Sequence, residues 1–76
     1  MFYYKTPAHK EPGIDLPHSV TVGEEDYTLK YNAAEDEALV KLENGSQATI
    51  DGLKSDSDNV ELTEAEYTAD LPNYPN

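Results

Sequence analysis

Asn44-Gly45 lies between two apolar runs, Ala38-Leu39-Val40-Lys41-Leu42 and Ser46-Gln47-Ala48-Thr49-Ile50, and restricts how this chain can fold more than any other stretch. An Asn-Gly pair between such runs is the strongest short-range hairpin signal. Side-chain parity selects the loop. A two-residue turn at Asn44-Gly45 sets Val40 opposite Thr49 and Leu42 opposite Gln47, which mixes the faces. A loop of Glu43, Asn44 and Gly45 sets Val40 opposite Ala48 and Ala38 opposite Ile50, so the apolar residues share one face. That loop requires a left-handed glycine at position 45, where the missing Cβ removes a steric cost. A one-residue slip would expose the apolar face, so the bulged hairpin is the preferred reading. A helix competes with it. Asn32 fits an N-cap with Glu35 at N3, Gly45 fits the position past a helix end, and Ala34, Ala38 and Leu42 would share a helical face while Val40 points away. Strand and helix therefore both stay open for residues 33–44.

The chain has 76 residues, no cysteine and a net charge of -11. That length suits one domain, whose core supplies only about 3–5 kcal/mol of net stability. With no thiols there are no disulfides and no zinc–thiolate site. Oligomerisation or docking is the remaining source of buried surface. Lys5 and Lys10 cancel Glu11 and Asp15, so the excess negative charge begins at Glu24. Arginine is absent. A phosphate backbone or an anionic lipid surface would be repelled, which argues against direct nucleic-acid or membrane binding. No apolar run approaches the roughly 20 residues of a membrane span. Met1-Phe2-Tyr3-Tyr4-Lys5 lacks the layout of a signal peptide.

Along the chain, Phe2-Tyr3-Tyr4 reads as a short strand. Residues 6–17 carry Pro7, Pro12, Gly13 and Pro17 and read as an irregular arm, because proline fixes φ and removes a backbone donor. Ser19-Val20-Thr21-Val22 and Tyr27-Thr28-Leu29-Lys30-Tyr31 both alternate. A turn over residues 23–26 would pair Val22 with Tyr27 and Val20 with Leu29. Residues 32–37 connect the two hairpins, and residues 52–59 form a polar loop. Thr63-Glu64-Ala65-Glu66 is a capping box, with Leu62 and Tyr67 as its hydrophobic staple. The helix should run from Glu64 to Asp70 and stop before Pro72, which disfavours helical geometry at Leu71. Residues 72–76 are expected to fray. The expected fold is mainly β within the α+β class. It has two antiparallel hairpins, an N-terminal strand and one short C-terminal helix in a single domain over residues 1–76.

No catalytic, cofactor-binding or metal-binding residue is assigned. Asp56 and Asp58 suggest calcium, but Val60 occupies the next ligand position of an EF-hand and the required glycine is missing, so cation binding over residues 51–61 stays open. His9 and His18 neighbour prolines, and no third ligand has metal-site spacing. Ser19 beside His18 is no dyad, since adjacent strand residues face opposite ways. Asn44-Gly45-Ser46 matches a glycosylation acceptor and is read as turn chemistry. The six tyrosines, at strand spacing, are read as core.

A strand close to the initial methionine, short hairpins and a closing Val60-Glu61-Leu62-Thr63-Glu64-Ala65-Glu66-Tyr67 together resemble small accessory virion proteins of tailed bacteriophages, such as capsid decoration and head–tail proteins. The resemblance covers the layout of the chain, and its specific stretch is the capped terminal helix. It implies a non-enzymatic structural protein of the virion, assembled in the host cytoplasm. Its partner would be a major capsid, portal or tail protein, and it would act as a monomer or homo-oligomer. The alternative is a soluble acidic inhibitor that mimics DNA through its carboxylates. The charge of -11 favours that reading, and the neutral N-terminal third disfavours it.

Overall fold

A computed structural model describes residues 1–8 and 26–76. The fold is α+β, built on one antiparallel sheet of four strands: β1 (Phe2–Pro7), β2 (Tyr27–Tyr31), β3 (Glu37–Leu42) and β4 (Val60–Leu62), in the order β2-β3-β1-β4. Helix α1 (Gln47–Ser55) lies between β3 and β4 in the chain, and helix α2 (Glu64–Asp70) follows β4 and runs into a short 3-10 turn, Leu71–Asn73.

Register explains how the apolar residues are used. Phe2 pairs with Leu42, Tyr4 with Val40 and Thr6 with Ala38. Tyr27, Leu29 and Tyr31 pair with the same three β3 residues from the other side. These three cross-strand rows form one face, because strand side chains alternate. Ile50 and Leu53 of α1 join that core. The opposite face carries Tyr3, Leu39 and Leu62, packed with Tyr67 of α2, Leu71 and Tyr74. The sheet therefore has a core on each side.

The second core overturns the hairpin expected over residues 38–50. Ala38, Leu39 and Val40 are all 0% exposed, as an uninterrupted apolar run should be in a strand buried on both faces. A hairpin with one buried face would have left Leu39 in water. Glu37–Leu42 is accordingly a strand, which also rules out the competing helix, and its neighbours are β1 and β2. Ala48 and Ile50 lie in α1 instead of a return strand. Ser46 caps that helix: its Oγ accepts the Thr49 N–H at 3.2 Å. Gln47 donates to Asp51 at 2.8 Å one turn on. Ile50 and Leu53, three residues apart, share the inner side. Gly52 to Ser55, expected in a polar loop, complete this helix, and the loop itself shortens to residues 56–59. Those residues do bond locally: the Asp56 carboxylate accepts the Asp58 N–H at 3.0 Å, and Asn59 donates to the Leu53 carbonyl at 3.0 Å.

Gly45 is not left-handed. Among the described residues other than glycine, positive φ falls at Glu35, at 58°. Glu35 sits in the β2–β3 turn that Asn32 organises. The Asn32 side-chain oxygen accepts the N–H groups of Asp36 and Glu37 at 3.0 and 3.1 Å, and its amide donates to the Asp36 carboxylate at 2.7 Å. Asn32 thus caps a turn between strands, not a helix.

The C-terminal helix follows its sequence signal. Thr63 Oγ1 accepts the Glu66 N–H at 3.1 Å, and the Glu66 carboxylate accepts the Thr63 N–H at 2.9 Å. The bond from the Thr63 backbone holds the Glu66 carboxyl below its ordinary range. Leu62 and Tyr67 meet in one core, as a staple requires. Leu71 stays right-handed despite Pro72, and the chain tightens into the 3-10 turn. The tail is not frayed. Tyr74 is 5% exposed and its hydroxyl donates to the Glu37 carboxylate. The Asn76 N–H reaches the Tyr31 carbonyl at 3.1 Å and its side chain reaches the Asn32 carbonyl at 3.2 Å.

Two expectations fall partly or wholly beyond the described residues. Tyr27–Tyr31 is a strand, and its described partner is β3; the proposed mate at 19–22, the turn at 23–26 and the Val22–Tyr27 pairing lie outside. Of the irregular arm at 6–17, Thr6 and Pro7 belong to β1 and Ala8 is buried, its N–H bonded to the Asp36 carbonyl at 3.1 Å; residues 9–17 lie outside.

The Tyr4 hydroxyl is buried and has no hydrogen-bond partner among the described residues. Burial pushes its phenol well above the ordinary tyrosine range. A buried unpaired hydroxyl costs about 1–3 kcal/mol. Tyr4→Phe is therefore expected to raise stability by about 1 kcal/mol in urea unfolding. A phenol raised in the folded state contributes stability that is complete below about pH 10, the unfolded value, and is lost as pH climbs toward the raised one. The wild type should lose stability above about pH 10 more steeply than Tyr4→Phe. Equal alkaline slopes would count against this placement of the hydroxyl.

Candidate interaction surface

The charged side chains mostly serve the fold. Glu66 completes the α2 cap, Asp36 the β2–β3 turn, Asp56 the loop before β4, and Glu37 holds Tyr74. Asp51 accepts from Gln47, and Asp26 from Asn44 at 2.8 Å. Lys41 pairs with Glu43 at 3.3 Å, a bond that raises the lysine's pKa. Lys54 pairs with Glu61 at 3.9 Å and lies 5.7 Å from the centre of the Phe2 ring. These exposed pairs each contribute little, in the range of about 0–1 kcal/mol. The described negative charge that remains lies on α2, which holds Glu64, Glu66 and Asp70, and along the connecting loops, whereas α1 carries Asp51 and Lys54 and is neutral.

Asp56 and Asp58, the residues that suggested calcium, are joined through a local turn instead of converging on an open position. Among the described residues no group of three or more histidine, aspartate or glutamate side chains could hold a metal ion. His9, His18 and Ser19 lie outside the described residues. The tyrosines are core, as their spacing suggests. Tyr4, Tyr31, Tyr67 and Tyr74 are buried, Tyr3 and Tyr27 are partly so, and the Tyr3 and Tyr67 rings pack tilted against each other with centres 4.9 Å apart. Desolvation raises the pKa of Tyr67 and of Tyr74, and the Glu37 carboxylate adds to it at Tyr74.

Contact area is then a matter of edges and exposed apolar groups. β2 and β4 are the outer strands of the described sheet. β4 is only three residues long and presents Glu61, and short charged edges discourage indiscriminate strand pairing. Among the described residues, the exposed large apolar side chains are Met1, at 76%, and Val60, at 49%. Met1 sits against the Tyr3 hydroxyl, 3.3 Å from its sulfur, and Val60 pairs across from Lys5 two rows away. No helix among the described residues is long and apolar enough to cross a membrane.

The C-terminal clasp went unanticipated in the sequence. Its one signal is Tyr74, a large aromatic between Pro72 and Pro75, since a residue so costly to expose is better buried. No protein-family model, curated protein or solved structure matches the chain.

Proposed function

We propose that this chain is a small non-enzymatic structural protein of a bacteriophage virion, docked on a capsid, portal or tail protein as a monomer or homo-oligomer. The observation that carries this reading is how the polar side chains are spent. Asn32, Glu37, Asp56 and Glu66 are engaged in turns, caps and the C-terminal clasp, which favours a rigid body that acts by contact. Docking through the proline-rich sequence fits this scheme. Proline lowers the entropy lost when a segment orders on a partner. Ala8, buried and bonded to Asp36, gives that sequence a fixed root beside the β2–β3 turn.

The rival reading, a DNA mimic, draws on the charge of -11. A mimic needs its carboxylates free to engage a basic groove, whereas here those of Asp36, Glu37, Asp56 and Glu66 are bonded into turns, the C-terminal clasp and a helix cap. Competition with duplex DNA for a basic DNA-binding protein distinguishes the two. We expect no displacement at moderate salt. Clear displacement that falls steeply as salt rises would favour the mimic.

A further inference from the structure

We propose that Asn44 is a site of spontaneous self-modification, converting from amide to acid through attack by the Gly45 backbone nitrogen, and that the conversion loosens the seam where β2 begins and β3 ends. Three observations meet there. Asn44 is exposed, in the connection between β3 and α1. The Gly45 N–H donates no hydrogen bond among the described residues, so the attacking nitrogen is not tied up. Glycine at 45 is demanded by packing, since a Cβ there would lie 2.4 Å from Leu42 Cδ2. The residue that leaves the neighbouring nitrogen least hindered is thus the residue the core requires.

The chemistry balances with water alone. Hydroxide takes the Gly45 amide proton. The nitrogen bonds to Asn44 Cγ, the Cγ–Nδ2 bond breaks, and the side-chain nitrogen leaves as ammonia with a proton from water. Water then opens the cyclic imide at either carbonyl, giving aspartate or isoaspartate. Nothing is oxidised or reduced. Asn32, Asn59 and Asn73 are worse placed. Asn32 precedes Ala33 and Asn59 precedes Val60, and the Cβ of each following residue hinders the attacking nitrogen where glycine does not. Asn73 precedes the buried Tyr74.

The consequence follows from the partner. The Asn44 amide donates to the Asp26 carboxylate at 2.8 Å, and the Asp26 carbonyl accepts the Glu43 N–H at 2.9 Å. After conversion two carboxylates face each other at the same seam, where like charges disfavour the folded state.

The test uses the full chain, incubated folded in mildly alkaline buffer and mapped by peptide mass spectrometry. The expected result is the mass gain of amide-to-acid conversion at position 44 ahead of positions 32, 59 and 73, in both aspartyl forms. Position 44 staying intact, while an unfolded peptide bearing Glu43-Asn44-Gly45-Ser46 converts in the same time, would overturn the proposal. The consequence is read separately by thermal unfolding. Asn44→Asp should lower the midpoint by roughly 4–8 °C. The exchanged pair, Asp26→Asn with Asn44→Asp, should recover most of that loss because it restores an amide facing a carboxylate. An Asn44→Asp midpoint equal to the wild type, or an exchanged pair no better than Asn44→Asp alone, would refute the role of the seam.

Discussion

Leu39→Ala is expected to cost about 2–5 kcal/mol, enough to unfold most of a chain whose core supplies roughly 3–5 kcal/mol. Leu39 is 0% exposed at the centre of the face that carries Tyr3, Leu62, Tyr67, Leu71 and Tyr74. The cost has two parts, lost transfer free energy and the cavity left behind. Collapse cannot fill that cavity easily, because Tyr74 is held by Glu37 and Tyr67 by the capped start of α2. Val60→Ala is the matched control. Val60 is 49% exposed, so its truncation should change stability by no more than about 0.5 kcal/mol. Urea unfolding followed by far-ultraviolet circular dichroism compares the two. If Leu39→Ala behaved like Val60→Ala, the second core would not exist.

Gly45→Val should destabilise the fold by about 1–3 kcal/mol through overpacking. The collision is with Leu42, at 2.4 Å from Cδ2 and 2.9 Å from Cγ, with Ile50 Cγ1 at 3.4 Å. Leu42 is the flexible partner, but it is 1% exposed and has nowhere to turn. This differs in kind from a left-handed glycine, and one variant separates the two causes. Asparagine is tolerated where φ is positive. Gly45→Asn should nonetheless fail here about as badly as Gly45→Ala, because any Cβ meets Leu42. Near-wild-type stability of Gly45→Asn would restore the left-handed turn.

Those two positions also show which parts of the fold a reader of the sequence can recover. The capping box at Thr63 and Glu66 is legible because its partners lie three residues apart and its chemistry is local. The strand at Tyr27 is legible from alternation. The stretch from Ala38 to Ile50 misleads because parity there satisfies two folds. Read with one buried face, Ala48 and Ile50 continue a hairpin; read with two, Leu39 gains a core and Ser46 becomes a helix cap. The signal that decides it is the unbroken run Ala38-Leu39-Val40, which alternation alone cannot explain. The clasp from Tyr74 and Asn76 to Glu37, Tyr31 and Asn32 could not be read locally, since its partners lie some forty residues away in the chain. For the candidate surface, the amount of charge is legible in the sequence, whereas its placement on α2 and the loops depends on residues 47–55 forming the neutral helix α1.

The docking role is tested most directly by quantitative mass spectrometry of particles purified from cells that carry this gene, with the wild-type chain and with a chain lacking residues 9–17 behind a short glycine linker. Deletion from position 9 leaves β1 and the Ala8–Asp36 bond in place, so the body should stay folded. The account predicts the wild-type chain at a fixed ratio to the capsid or tail protein, and loss of the deleted chain from particles while it remains folded in the soluble fraction. A wild-type chain that is abundant in the soluble fraction and absent from particles would contradict it.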